Sequence, residues 1–297
     1  MTGPGRVRLY GGLFVAIGVI SCAGVIIKLA DAPALVIAAW RLGLATLLLA
    51  PWMAMKVRRA GFDALWRCWP WVLASGLALA VHFASWILSL EFTSVASSVV
   101  LVTTNPLFVG IGSYLFLKEK PTRSLGMGIL VSVLGGALIG YGDFQLSGLA
   151  LWGDVLALIG ALSASAYFLI GRRLRAQAAL GPYIFLVYGT AAVILVGAAA
   201  LMGHSLWGYT AETLTLFLLL ALGPQLVGHS TLNWALRYLP AGVIAVSLLA
   251  EPVGAALLAY WMLGESLTPL TLIGGGVVLV GIYVALKRPS LEKPRKM

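Results

Sequence analysis

The residues best equipped for chemistry in this sequence are those least at home in their surroundings. His82, Asn105 and Glu251 lie deep inside long apolar runs, where an ionisable group is costly unless it faces a protein interior or a water-filled cavity. At ~1.5 Å of rise per helical residue, His82 comes about 16 Å from the inner end of its run, Asn105 about 15 Å from the outer end, and Glu251 about 15 Å from the inner end. All three thus reach the middle of a ~30 Å hydrocarbon layer. Trp86 follows His82 by four positions, which puts both rings on one helix face. Imidazole and amide supply hydrogen bonds, a carboxylate binds a cation or proton, and an indole offers an apolar or cation-attracting surface. That set suits reversible binding of a small polar molecule; the alternative is that each group is satisfied in helix packing.

Further groups belong beside these. Trp40, Tyr167 and Tyr188 are candidate binding residues, with Ser163, Ser165, Gln225, His229, Asn233 and Trp234 as weaker ones. Arg41, about 10 Å below the outer surface by the same rise, either binds a carboxylate or pairs with an acidic side chain, the commoner fate of a membrane arginine. Pro106 and Pro252 sit near mid-run; each removes a backbone donor and clashes with the preceding turn, which breaks a helix. Glu119 and Glu265 end their runs at opposite surfaces and are expected to be structural or gating residues.

Catalysis is not expected. Gly140-Tyr141-Gly142-Asp143 matches the Gly-x-Gly-Asp string of membrane aspartyl proteases, but that chemistry needs a second carboxylate to share the proton, and no other aspartate lies mid-run. The chain lacks His-Glu-x-x-His, Gly-x-Ser-x-Gly and the phosphate-binding Gly-x-x-x-x-Gly-Lys-Ser/Thr, so zinc hydrolysis, a serine elbow and direct ATP hydrolysis are not expected. Cys22 and Cys68 lie on different segments and give no disulfide or metal framework. No cofactor or metal is expected.

The elements that must hold these residues follow from composition. The chain is 61% hydrophobic and 10% charged, outside the range of water-soluble domains. Ten apolar runs of membrane-crossing length are read at 9–29, 34–55, 71–90, 95–117, 125–141, 149–170, 183–202, 213–234, 241–263 and 270–286. The connections are short, so any function lies within the bilayer. A net charge of +10 would suit nucleic acid, but its placement argues otherwise. With the N-terminus inside, 18 of the 20 basic residues fall in inner segments, while Asp31, Glu91, Asp143, Glu212 and Glu265 fall outside. This is the positive-inside asymmetry; both termini are expected in the cytoplasm, lipid surrounds the chain, and no nucleic acid is expected.

Shifting the chain by 146 residues aligns 93–139 with 239–285 without a gap. Pro106 then falls on Pro252, Tyr114 on Tyr260, Glu119 on Glu265, Gly128 on Gly274 and Gly135 on Gly281. Two units of five runs result, 1–145 and 146–297, and an odd number inverts the second. Inverted repeats with matching helix breaks mark many secondary transporters and point to a site at the repeat interface. Gly128, Ser132, Gly136 and Gly140 recur every four residues, a small-residue stripe expected to allow close helix contact.

His82-Phe83-Ala84-Ser85-Trp86, Thr93 through Ser98, Thr104-Asn105-Pro106-Leu107-Phe108 and Leu117-Lys118-Glu119 resemble the first half of an EamA-type member of the drug/metabolite transporter superfamily. Ala250-Glu251-Pro252, Leu263-Gly264-Glu265 and Thr268 through Gly274 are similar to its repeated unit. The resemblance covers nearly the whole chain. It implies an all-α integral membrane fold of ten transmembrane helices, two inverted five-helix repeats around a central cavity. The function it implies is export of small metabolites across a bacterial inner membrane by alternating access, the substrate being an amino acid as in the YddG-like exporters, and the chain acting as a monomer. Export of a nucleoside or drug-like cation, or a channel, are the alternatives.

Overall fold

The computed structural model describes residues 4–56, 62–118, 122–143, 148–264 and 269–286. Within them the fold is all-helical, with no strand. Ten apolar helices follow in order: α1 (Arg6–Leu29), α2 (Ala34–Lys56), α3 (Trp69–Ser89), α4 (Val95–Leu117), α5 (Arg123–Asp143), α6 (Gly148–Arg175), α7 (Leu180–Leu201), α8 (Ala211–Ala235), α9 (Ala241–Leu263) and α10 (Pro269–Leu286). Eight are long and apolar enough to cross a membrane; α5 and α10 supply shorter apolar cores, Arg123–Leu138 and Leu272–Ala285. Phe14, Leu47, Ile111, Leu162 and Val193 stand exposed on the outside, as expected where the surrounding solvent is hydrocarbon.

Local chemistry sets the helix ends. Ser94 and Thr210 cap α4 and α8 by accepting from the backbone N–H of Ser97 (3.0 Å) and Thr213 (3.2 Å). α4 and α9 end at equivalent positions, Lys118 (φ 56°) and Gly264 (φ 70°), both in the left-handed conformation that closes a helix C-terminus.

Both helices are also interrupted. The first part of α4 stops at Val102, and a second helical piece starts at Asn105 with Pro106 in its first turn. In α9 the first part stops at Ser247, a 3-10 turn spans Leu248–Ala250, and the second piece starts at Glu251 with Pro252 in its first turn. In the first turn a proline's missing N–H has no intrahelical partner to lose, so each break falls just before its proline. α8 carries a third irregularity, a π-helical stretch Ala221–His229 containing Pro224.

α5 and α10 pack directly on each other. A Cβ on Gly135 would lie 2.7 Å from the Gly274 carbonyl oxygen, and one on Gly281 would lie 2.9 Å from that of Gly128. These contacts are reciprocal under the shift of 146 residues. Gly136, counted with the small-residue stripe, instead meets Val100, with 3.6 Å from a built Cβ to the Val100 side chain; the close approach runs through Gly135. The other helices surround the site: α3 packs on α6 and α7, α2 on α7, α1 on α8, and α4 on α6 and α9.

Candidate functional site

Where the breaks of α4 and α9 face α1, α2, α3, α6 and α8, a central cavity forms, lined by Arg41, His82, Trp86, Thr103, Asn105, His229 and Glu251 with Ile20, Val102, Ala164, Phe168 and Leu248. Its volume is about 30 Å³, enough for one or two water molecules and far below the ~300 Å³ at which small-molecule pockets begin.

His82 is fixed by its Nδ1, 3.0 Å from the Gly160 carbonyl oxygen. A carbonyl only accepts, so Nδ1 carries the proton and Nε2 is the nitrogen left for another partner. The His82 and Trp86 rings are stacked, with centroids 6.0 Å apart and planes 4° apart. The His229 ring stands 6.3 Å from that of His82 and 5.2 Å from that of Phe83. Trp86 Nε1, Asn105 Oδ1 and His229 Nδ1 are buried without a hydrogen-bond partner among the described residues. Buried polar atoms are ordinarily paired, so several orphans in one cavity set it apart from the packing around it.

The two breaks contribute differently. At α4 the Asn105 carbonyl accepts from Ser165 Oγ at 3.2 Å, so this backbone group is already taken, and the Asn105 side chain is what α4 offers. At α9 the Glu251 carboxylate stands in the first turn of a 13-residue helix, where the positive end of the helix dipole favours an anion. Ser21 Oγ donates to the Glu251 carbonyl at 3.4 Å and ties α1 to the break.

Three residues read as binding candidates do not line the cavity. Tyr167 and Tyr188 belong to a buried network between the cavity and the end of the bundle that carries Arg172 and Arg175. Asn233 Nδ2 donates to the Tyr167 hydroxyl, to that of Tyr188 at 3.5 Å and to the His229 carbonyl at 2.7 Å. Tyr188 also bonds Ser230 Oγ at 3.2 Å. Trp40 lies towards the opposite end: its Nε1 donates to the Leu206 carbonyl at 3.0 Å, and its ring stacks on Phe217 and meets Trp207 edge-on. Glu119 and Glu265 lie outside the described residues.

Arg41 and His229 join the cavity with less warning from sequence. Arg41 is fully buried, its Nε donates to Gln225 Oε1 at 2.9 Å, and its Cζ lies 4.1 Å from the centroid of Phe83. Gln225 and His229 reach inward from the π-helical stretch of α8, for which Pro224 was the only signal.

A family model confirms the class. The EamA-like transporter family matches residues 9–141 and again 151–287; the chain belongs to this family, whose members are transporters and not enzymes. It is 30% identical to the uncharacterized transporter YdfC of Bacillus subtilis (strain 168) over 197 residues, 65% of this chain and 63% of that protein, so the match spans a little under two thirds of the relative. The uncharacterized transporter YwfM of the same organism is 24% identical over 85% of this chain and 83% of its own. The pseudopaline exporter CntI of Pseudomonas aeruginosa (strain UCBPP-PA14) is 26% identical over 87% of this chain and 88% of its own. A solved crystal structure with a TM-score of 0.77, 19% identical and covering 95% of this chain and 98% of its own, shares the fold.

Proposed function

We propose that this transporter exports amino acids across the bacterial inner membrane by alternating access, as a monomer with both termini in the cytoplasm. Residues 1–145 and 146–297 act as two inverted units that move about the central cavity. One observation carries the reading: the cavity lies where the breaks of α4 and α9 meet and gathers His82, Trp86, Asn105 and Glu251 around orphaned polar atoms. Hydrogen-bonding groups of both kinds beside a flat indole suit a zwitterion with a variable side chain. Interrupted helices are the membrane protein's usual way to bring backbone and polar groups to mid-membrane depth. A volume of about 30 Å³ supports alternating access over a standing pore, since a substrate needs the two halves to part before it can enter. Tyr167, Tyr188 and Trp40 support the site from behind, Pro106 and Pro252 set the hinge-like breaks, and Glu119 and Glu265 serve as gating residues at opposite surfaces.

The similarity to a pseudopaline exporter along 87% of this chain favours a second reading, export of another metabolite through the same cavity. Efflux from proteoliposomes loaded with a panel of amino acids, nucleosides and organic cations separates the two. Saturable efflux of amino acids upholds the first reading; efflux confined to another class replaces it with the second.

A further inference from the structure

Arg41 differs from the other buried arginines of this protein. Arg172 Nη1 donates to the Leu236 carbonyl at 2.7 Å, while Arg175 donates through Nε to the Asn233 carbonyl at 3.0 Å and through Nη1 to that of Ala178. Those guanidinium groups close helix ends, a structural use. Among the described residues Arg41 spends only Nε on a protein partner, Gln225, while Nη1 and Nη2 are buried and bonded to none of them. Arginine stays protonated in any protein environment, and a buried charge is costly unless it is paired and hydrogen-bonded. Among the described residues no carboxylate hydrogen-bonds its Nη atoms; Glu251, on the same cavity wall, acts on it only through space.

The mount is rigid. Gln225 holds one edge of the guanidinium and the Phe83 ring supports its face, 4.1 Å from Cζ. Arg41 belongs to the wall of the central cavity. The orphaned Trp86 Nε1 is another donor on that wall, while the Asn105 Oδ1 and Glu251 carboxylate oxygens are acceptors. Two adjacent guanidinium N–H groups match the two oxygens of a carboxylate in a bidentate pair, and the acceptors match an ammonium group.

We infer that Arg41 is the carboxylate-binding residue of the central cavity and that it restricts transport to substrates bearing a free carboxylate. The inference rests on the reading of the cavity as the transport site, and it adds a demand on the substrate that this reading does not contain. A purely structural Arg41 would affect every substrate alike. A carboxylate receptor discriminates by functional group in the wild-type protein, before any substitution is made.

The test uses purified full-length protein in proteoliposomes, with flux measured for α-amino acids, their amides and methyl esters, the corresponding decarboxylated amines, and mono- and dicarboxylates lacking an amino group. Thermal stabilisation in detergent by the same compounds provides a second readout. The expected result is flux and stabilisation by free acids, lost by at least about tenfold for amides, esters and amines. Arg41→Lys keeps the charge but loses the planar fork, and should raise KM for the acids by at least about tenfold while the protein stays folded. Arg41→Gln should abolish discrimination between acid and amide. Arg41-dependent flux of carboxylates without an amino group, with no flux of α-amino acids, upholds the inference while ending the amino-acid reading. Equal handling of acid and amide by the wild type, unchanged acid KM in folded Arg41→Lys, or no flux and no stabilisation by any carboxylate overturns it.

Discussion

Ser132 donates a hydrogen bond to the carbonyl of Val278, 3.3 Å away and 146 positions along the chain. That separation equals the repeat shift, so the bond joins a residue to its own counterpart and marks where the two halves meet. Around it lie the reciprocal approaches of Gly135 to Gly274 and of Gly281 to Gly128. Without a hydrophobic drive between helices in lipid, such contact depends on small residues that let backbones close up.

A side chain there should force the helices apart. A Cβ on Gly281 would lie 2.6 Å from the Ser132 backbone nitrogen, so Gly281→Val is expected to cost about 1–3 kcal/mol through overpacking. Gly136→Ala, whose Cβ would meet Val100 at an ordinary 3.6 Å, should be close to neutral. Thermal unfolding of both variants in detergent checks this, and equal midpoints would count against the crossing.

Tyr167 gives a contrasting expectation. Its hydroxyl accepts from Asn233 Nδ2, which also donates to the His229 carbonyl at 2.7 Å, so Tyr167→Phe removes one bond without leaving the amide unpartnered. Stability should fall by about 0.5–1.5 kcal/mol, with substrate KM nearly unchanged. A large KM change with unaltered stability would move Tyr167 from the support of the site into the site itself.

At the other end of the bundle Trp40 holds the segment 203–210 through its bond to the Leu206 carbonyl and its edge-on contact with Trp207. Trp40→Ala should let that segment open more often, seen as faster amide hydrogen exchange across it. Unchanged exchange would show that the segment is held by its own contacts, such as the Tyr209 hydroxyl donating to the Ser205 carbonyl at 2.8 Å.

Much of the architecture was legible because its causes are local or repetitive. Runs of apolar residues define the helices, and Pro106 and Pro252 lie immediately after the breaks of α4 and α9. Depth along a helix follows from the fixed rise per residue, and His82, Asn105 and Glu251 do share one cavity. Sequence could not supply the direction in which each helix turns its faces. Trp40 and Arg41 are neighbours about 100° apart on α2, given 3.6 residues per turn, and only Arg41 turns to the cavity. Tyr167 and Tyr188 have suitable depth but face Asn233. The π-helical stretch of α8 was hidden for a related reason. Its wider turn shifts the faces of Gln225 and His229 relative to an α-helical reading.

In the proposed function, substrate passes through the cavity beside the stacked rings of His82 and Trp86. That route is tested most directly by saturable amino-acid efflux from proteoliposomes containing wild type, His82→Ala or Trp86→Ala, with the folded fraction of each measured in parallel. Losing the indole removes an apolar contact and, for a cationic group over its face, about 0.5–2 kcal/mol of attraction. Both substitutions should weaken transport more than they lower expression or thermal stability, Trp86→Ala chiefly through KM. Folded His82→Ala and Trp86→Ala proteins with unchanged transport kinetics would contradict it, and both rings would then be packing alone.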